Sequence, residues 1–118
     1  MAQELDVFVK QAAAKRVLLV GDLILDRYVY GDAERISPEA PVPVLRVVDR
    51  SDAVGGSGNV AACLKALGVD PVVCGVVGTD ASGQRLKALL TDAGALCDHV
   101  LEVSDRPTIT KTRFVGLA

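Results

Sequence analysis

Two aspartates four residues apart, Asp22 and Asp26, follow the apolar run Val17-Leu18-Leu19-Val20 and a glycine. That places them at the carboxyl end of an expected strand, where open α/β sheets bind ligands. If the chain stays extended past Gly21, a spacing of four puts both carboxylates on one face and Leu23 and Leu25 on the other. Ionised carboxylates only accept hydrogen bonds, which suits them to sugar hydroxyls. Helix capping or a surface salt bridge would account for the same residues.

The second chemical feature is Gly55-Gly56-Ser57-Gly58-Asn59, directly before a helical pattern. Glycines let backbone approach a ligand closely, and free N–H groups at a helix start favour oxygen-rich ligands. A tight structural turn is the alternative. Gly56, Gly58 and Ala61 also match a dinucleotide-binding fingerprint, with Asp80 further on. That reading is set aside because the fingerprint should follow a strand directly, whereas a charged turn and Ala53-Val54 are expected to intervene. No Gly-Lys-Ser/Thr follows, which removes a phosphate-binding P-loop. Third, Thr108-Ile109-Thr110-Lys111-Thr112-Arg113 has period two, with Lys111 and Arg113 on one face and Thr110 and Thr112 on the other. Those cations suit a phosphate, or simply a solvated sheet face. His99 stands between Asp98 and Val100 with nothing to orient it, so no catalytic role is expected of it.

The elements that must position these residues alternate. Leu5, Phe8, Val9 and Ala12 make a helical stripe within 4–15. The wholly apolar run 17–20 fits a strand covered on both faces. Ser37 to Pro43 carries three prolines, which belong on an edge or an excursion. An extended stretch over 42–48 ends in a polar turn at 49–52. The glycine cluster opens a helix that Gly68 closes. A buried strand follows at 72–77, then a helix with Asp80 as N-cap and Gly94 at its end. Two more strands are expected at 100–103 and 108–115. The alternation makes the chain α/β.

Composition narrows the function classes. Half of the 118 residues are apolar and only 3% are aromatic, so the core must be aliphatic, as in buried α/β sheets. A net charge of −2 with scattered cations lacks the footprint of a nucleic-acid binder. No apolar run approaches the roughly 18 residues of a membrane span, and no signal pattern opens the chain. Cys63, Cys74 and Cys97 have no C-x-x-C spacing and read as buried, reduced thiols of a cytoplasmic protein.

The stretch 20–28, the glycine–asparagine helix start and Gly78-Thr79-Asp80-Ala81-Ser82-Gly83 together resemble the ribokinase-like (PfkB) sugar kinases. Arg35-Ile36-Ser37-Pro38-Glu39-Ala40-Pro41-Val42-Pro43-Val44 and Pro107-Thr108-Ile109-Thr110-Lys111 resemble the heptose 7-phosphate kinase branch, which serves ADP-heptose synthesis for lipopolysaccharide core. The resemblance runs from Val17 onward. It implies a doubly wound α/β sheet with a small β lid, whose strands fall roughly at 27–48 and 108–115, and a homodimer through the lid strands. It also implies Asp26 on sugar hydroxyls, Gly55 and Gly56 as close-approach backbone and Asn59 as a side-chain contact. Asp22 is a further sugar contact, and Lys111 and Arg113 are candidates for the 7-phosphate. Mg2+ and ATP would serve the whole enzyme.

The family's general base is the aspartate of a late Gly-Ala-Gly-Asp motif, which the resemblance puts beyond Ala118. Asp92-Ala93-Gly94-Ala95 only echoes that motif, at the wrong end of a helix. Residues 1–118 are therefore expected to be the substrate-binding portion, cut off at Ala118 directly after a strand. They would lack the catalytic and ATP-binding part and any activity of their own. Another sugar kinase of the family, acting on fructose or ribose, is the runner-up. A non-catalytic sugar-binding or dimerisation module follows it. A dinucleotide-binding oxidoreductase module comes last.

Overall fold

The computed structural model describes residues 1–117. Ala118, the residue beyond which the general base is expected, lies outside the described residues. Helix α1 (Ala2–Ala12) leads into β1 (Arg16–Val20), β2 (Leu23–Ile36) and β3 (Pro43–Gly56). Then come α2 (Ser57–Ala66), β4 (Asp70–Gly78), α3 (Ala81–Asp92), β5 (Leu96–Val103) and β6 (Thr110–Leu117). The strands form two sheets. One is parallel, in the order β1-β4-β5; the other runs β3-β2-β6, with β3 antiparallel and β6 parallel to β2.

One core serves both sheets. Leu86 and Leu90 of α3 and Ala61 of α2 meet Val73 and Val77 of β4 and Leu23 and Leu25 of β2. These β2 leucines alternate with half-buried Ile24 and Asp26, so one face of the second sheet is rooted in the helices and the other is open. Beyond Val29 the β2–β3 hairpin leaves the core. Register shifts fall between Tyr30 and Gly31 and between Asp32 and Arg35. Pro38 and Pro41 sit in the connection at its tip and Pro43 opens β3, positions that need no ladder donor from proline.

The second sheet overlaps the segments 27–48 and 108–115, but its strands are Leu23–Ile36, Pro43–Gly56 and Thr110–Leu117. The last strand also outruns its expected end at Val115, with pairing to β2 carried on through Leu117. Three expectations fail. Asp49 to Asp52 is not a turn: these residues pair with Tyr30 back to Arg27 inside β3, because continuous antiparallel pairing satisfies the backbone groups that face β2. Strand β1 is not covered on both faces, since it pairs only with β4 and leaves Leu18 63% and Val20 68% exposed. Helix α1 buries no residue, and its stripe stays open, with Leu5 63% and Phe8 67% exposed. The cysteines are free, but Cys63 is exposed and Cys74 and Cys97 are only half-buried.

Candidate functional site

The open face of the second sheet gathers the residues with chemical potential. Strand β2 presents Ile24, Asp26, Tyr28 and Tyr30 there, alternating with the rooted leucines. Parallel pairing sets Lys111 opposite Asp26 and Arg113 opposite Tyr28. The Lys111 Nζ lies 3.0 Å from Asp26 Oδ1. Its approach is too oblique for a hydrogen bond, and Oδ1 is buried without any hydrogen-bond partner among the described residues. The Arg113 guanidinium stands 5.9 Å from the centre of the Tyr28 ring, a cation–π distance. Tyr30 stacks on Tyr28 at 6.4 Å between centroids.

Gly55 completes the wall. A Cβ there would lie 2.6 Å from Asp26 Oδ2 and 2.8 Å from its Cγ, so the carboxylate lies flat over bare backbone. Gly56 has a different reason to be glycine. Its φ is +57°, and a Cβ would come 2.5 Å from the Asp22 carbonyl oxygen, which accepts a 2.8 Å hydrogen bond from the Ser57 N–H. One of the N–H groups at the α2 start is thus already used within the chain.

The other face is tied to α3. Arg27 Nε donates to Asp52 Oδ1 at 2.9 Å, and Arg85 Nε of α3 donates to Asp52 Oδ2 at 3.4 Å. The hydrogen bond from Arg27 is the main reason that the Asp52 carboxyl lies below its ordinary range, opposed by partial burial and helped by Arg85. A second latch fixes the start of β6. Asp80 caps α3 by accepting from the Gly83 N–H at 2.8 Å, and also accepts from the Thr108 N–H at 2.9 Å and hydroxyl at 2.6 Å. The buried Thr108 hydroxyl in turn accepts from the Gly78 N–H at 2.9 Å. The Thr108 hydroxyl bond, then its backbone bond, pull the Asp80 carboxyl below its ordinary value. This latch delivers Lys111 to Asp26.

Of the seven candidate residues, the structure brings together Asp26, Gly55 and Lys111, with Arg113 beside them on the same face. Asp22 is exposed in the gap between β1 and β2, and lines a separate cleft of about 310 Å³ with Leu23, Cys74, Leu101, Arg106 and Ile109. Asn59 is exposed in the first turn of α2 and, among the described residues, makes no side-chain hydrogen bond. Sequence reasoning misses Tyr28, Thr108 and Arg106. Only the first two carry a signal, Tyr28 by its alternation with Asp26 and Thr108 by its place after a proline. The ground for setting the dinucleotide reading aside is mistaken, since β3 runs straight into α2. That reading still lacks support, because β3 and β4, on either side of α2, belong to different sheets. Among the described residues, no three His, Cys, Asp or Glu cluster to hold a metal. No helix there is long and apolar enough to cross a membrane.

A parallel α/β layer with a three-stranded sheet rooted in its core is the ribokinase-like arrangement. The chain belongs to the pfkB family of carbohydrate kinases, whose model matches residues 14–117. It is 50% identical over 100 residues to the bifunctional protein HldE of Methylobacillus flagellatus, covering 85% of this chain and 20% of that one. It is 46% identical over 107 residues to the D-beta-D-heptose 7-phosphate kinase of Bordetella bronchiseptica, covering 91% of this chain and 34% of that one. The chain thus spans only about a fifth to a third of these curated relatives. Among solved structures, Arabidopsis thaliana ribokinase complexed with ribose and ATP superposes with a TM-score of 0.66 at 26% identity, over 88% of this chain and 33% of that one.

Proposed function

We propose that this chain is the acceptor-binding part of a kinase that transfers the γ-phosphoryl of ATP to the C1 hydroxyl of heptose 7-phosphate, supplying ADP-heptose synthesis. The observation that carries the reading is the buried Oδ1 of Asp26 over the bare backbone of Gly55, ion-paired with Lys111 but without a hydrogen bond among the described residues. A buried carboxylate oxygen without a donor is costly, and a sugar hydroxyl is the donor that would satisfy it. Lys111 and Arg113 on the same face supply charge for the sugar's phosphate. The 46% identity to a protein named as a heptose 7-phosphate kinase supports this acceptor over fructose or ribose. Asp22, Gly56 and Asn59 remain part of the proposed acceptor surroundings. The Asp22 and Gly56 backbones shape the corner where β2 and α2 meet.

In this reading the second sheet is the lid that covers the sugar and excludes water during transfer. The general base, the nucleotide and Mg2+ belong to parts of the protein beyond Ala118. The protein works in the cytoplasm as a homodimer through the lid strands. Ile36, Val42 and Val44, exposed near the hairpin tip at 65%, 51% and 41%, support that contact.

The test is ADP release by the protein in its natural reading frame, with Mg-ATP and heptose 7-phosphate, fructose or ribose. Preference for the heptose phosphate is expected, and Asp26→Ala should lower kcat/KM by about tenfold to a hundredfold, the worth of one hydrogen bond to a charged group. A folded protein with no turnover on any sugar would sink the kinase reading and favour a sugar-binding or assembly module.

A further inference from the structure

Resting on that reading, we infer that Lys111 is a built-in occupant of the acceptor site and makes the site selective for sugars that carry their own anion. Three observations converge. The Lys111 ammonium sits 3.0 Å from Asp26 Oδ1, on the oxygen where a sugar hydroxyl would donate. The contact is oblique and leaves that oxygen without a hydrogen bond, so the ion pair neutralises Asp26 without satisfying it. Finally, the Lys111 side chain is 65% exposed while that of Asp26 is 16% exposed. The carboxylate lies against Gly55, whereas the lysine stem lies in the open along the sheet face.

The energetics favour exchange only for a phosphorylated ligand. The lysine end of the pair is exposed to water and the contact carries no hydrogen bond, so the pair is weak and yields to a better anion. A phosphate monoester carries about −1.5 to −2 charges against −1 for the carboxylate, and offers three acceptor oxygens. An incoming sugar phosphate therefore draws the ammonium away as its hydroxyl takes Oδ1, and Arg113 flanks the same surface to share the phosphate. A neutral sugar must remove the ammonium from Asp26 and give it nothing in return. Discrimination thus comes partly from a penalty on the wrong ligand.

Two other roles for Lys111 predict different outcomes. A plain phosphate contact would leave the neutral sugar's affinity untouched when removed. A purely structural residue would shift both ligands in one direction.

The experiment is calorimetric titration of the protein, in its natural reading frame, with heptose 7-phosphate and with the same heptose lacking phosphate. Lys111→Met keeps the stem and removes the charge. It should bind the neutral heptose about two- to fivefold tighter and the 7-phosphate more weakly, collapsing selectivity from both ends. Unchanged or weaker binding of the neutral heptose by Lys111→Met overturns the inference and leaves the acceptor site standing. Failure of the wild-type protein to bind either sugar overturns the acceptor-site reading and the inference with it.

Discussion

Gly55 and Asp26 occupy the same space, and only one can have a side chain there. The alanine methyl of Gly55→Ala would lie 2.6 to 3.0 Å from all three carboxyl heavy atoms of Asp26. Asp26 is the part that gives way, because the backbone of β3 is held by pairing along most of its length. We expect Gly55→Ala to stay folded, at a cost of about 1–3 kcal/mol from overpacking. It should still lose about tenfold to a hundredfold in kcat/KM, because the carboxylate's contact with the sugar is misplaced by roughly an ångström. Full activity in a folded Gly55→Ala protein would show that the carboxylate's pose does not matter. Gly56→Ala differs in kind, since its positive φ and the Asp22 carbonyl make the damage one of folding.

At the scale of elements, two polar ties fasten the second sheet to its surroundings beyond its own pairing. Asp80 and Thr108 hold the start of β6, and Arg27, Asp52 and Arg85 hold β2 and β3 against α3. Both carboxyls, Asp80 and Asp52, lie below their ordinary values in the folded protein. A carboxyl with a depressed folded pKa stabilises the fold above its unfolded pKa of about 3.9, and that contribution is lost as pH falls through the folded value. Acidification from about pH 4 downward should therefore weaken both ties. In Asp80→Asn, which keeps a capping side chain, stability at neutral pH should fall and the acid-dependent loss should be smaller than in wild type. Urea unfolding at a series of pH values checks this; parallel pH profiles would show that the latch contributes nothing through its charge. Thr108→Val would strand the Gly78 N–H, a loss of about 1–3 kcal/mol.

As a whole the molecule is open. Its radius of gyration is 18.5 Å, against roughly 13 Å for a compact domain of 100 residues, and it is only 19 Å thick along its shortest axis. The free edge of β1 carries exposed Leu18 and Val20, and α1 adds Leu5 and Phe8. Unpaired strand edges beside apolar side chains invite association. Residues 1–118 alone are expected to self-associate and to release no ADP from Mg-ATP and heptose 7-phosphate above background. A monodisperse monomer in sedimentation at high concentration, or clear turnover, would refute the respective half of this prediction.

The alternation of elements, the capping Asp80, the prolines at the hairpin tip and the family itself are legible in the sequence. They depend on local chemistry: side-chain period, backbone φ, missing donors and short motifs. Asp26 and Gly55 are legible too, but not their mutual contact. What lies beyond sequence reasoning is decided by pairing between distant segments. The register of β6 on β2 sets Lys111 on Asp26 and Arg113 on Tyr28. The long β3, where a polar turn is expected, follows from its partner strand and not from its own polar residues. The exposure of β1 is likewise hidden, because an apolar strand reads the same at the centre of a sheet as at its edge. Burial and register are properties of neighbours, and only the tertiary structure supplies those.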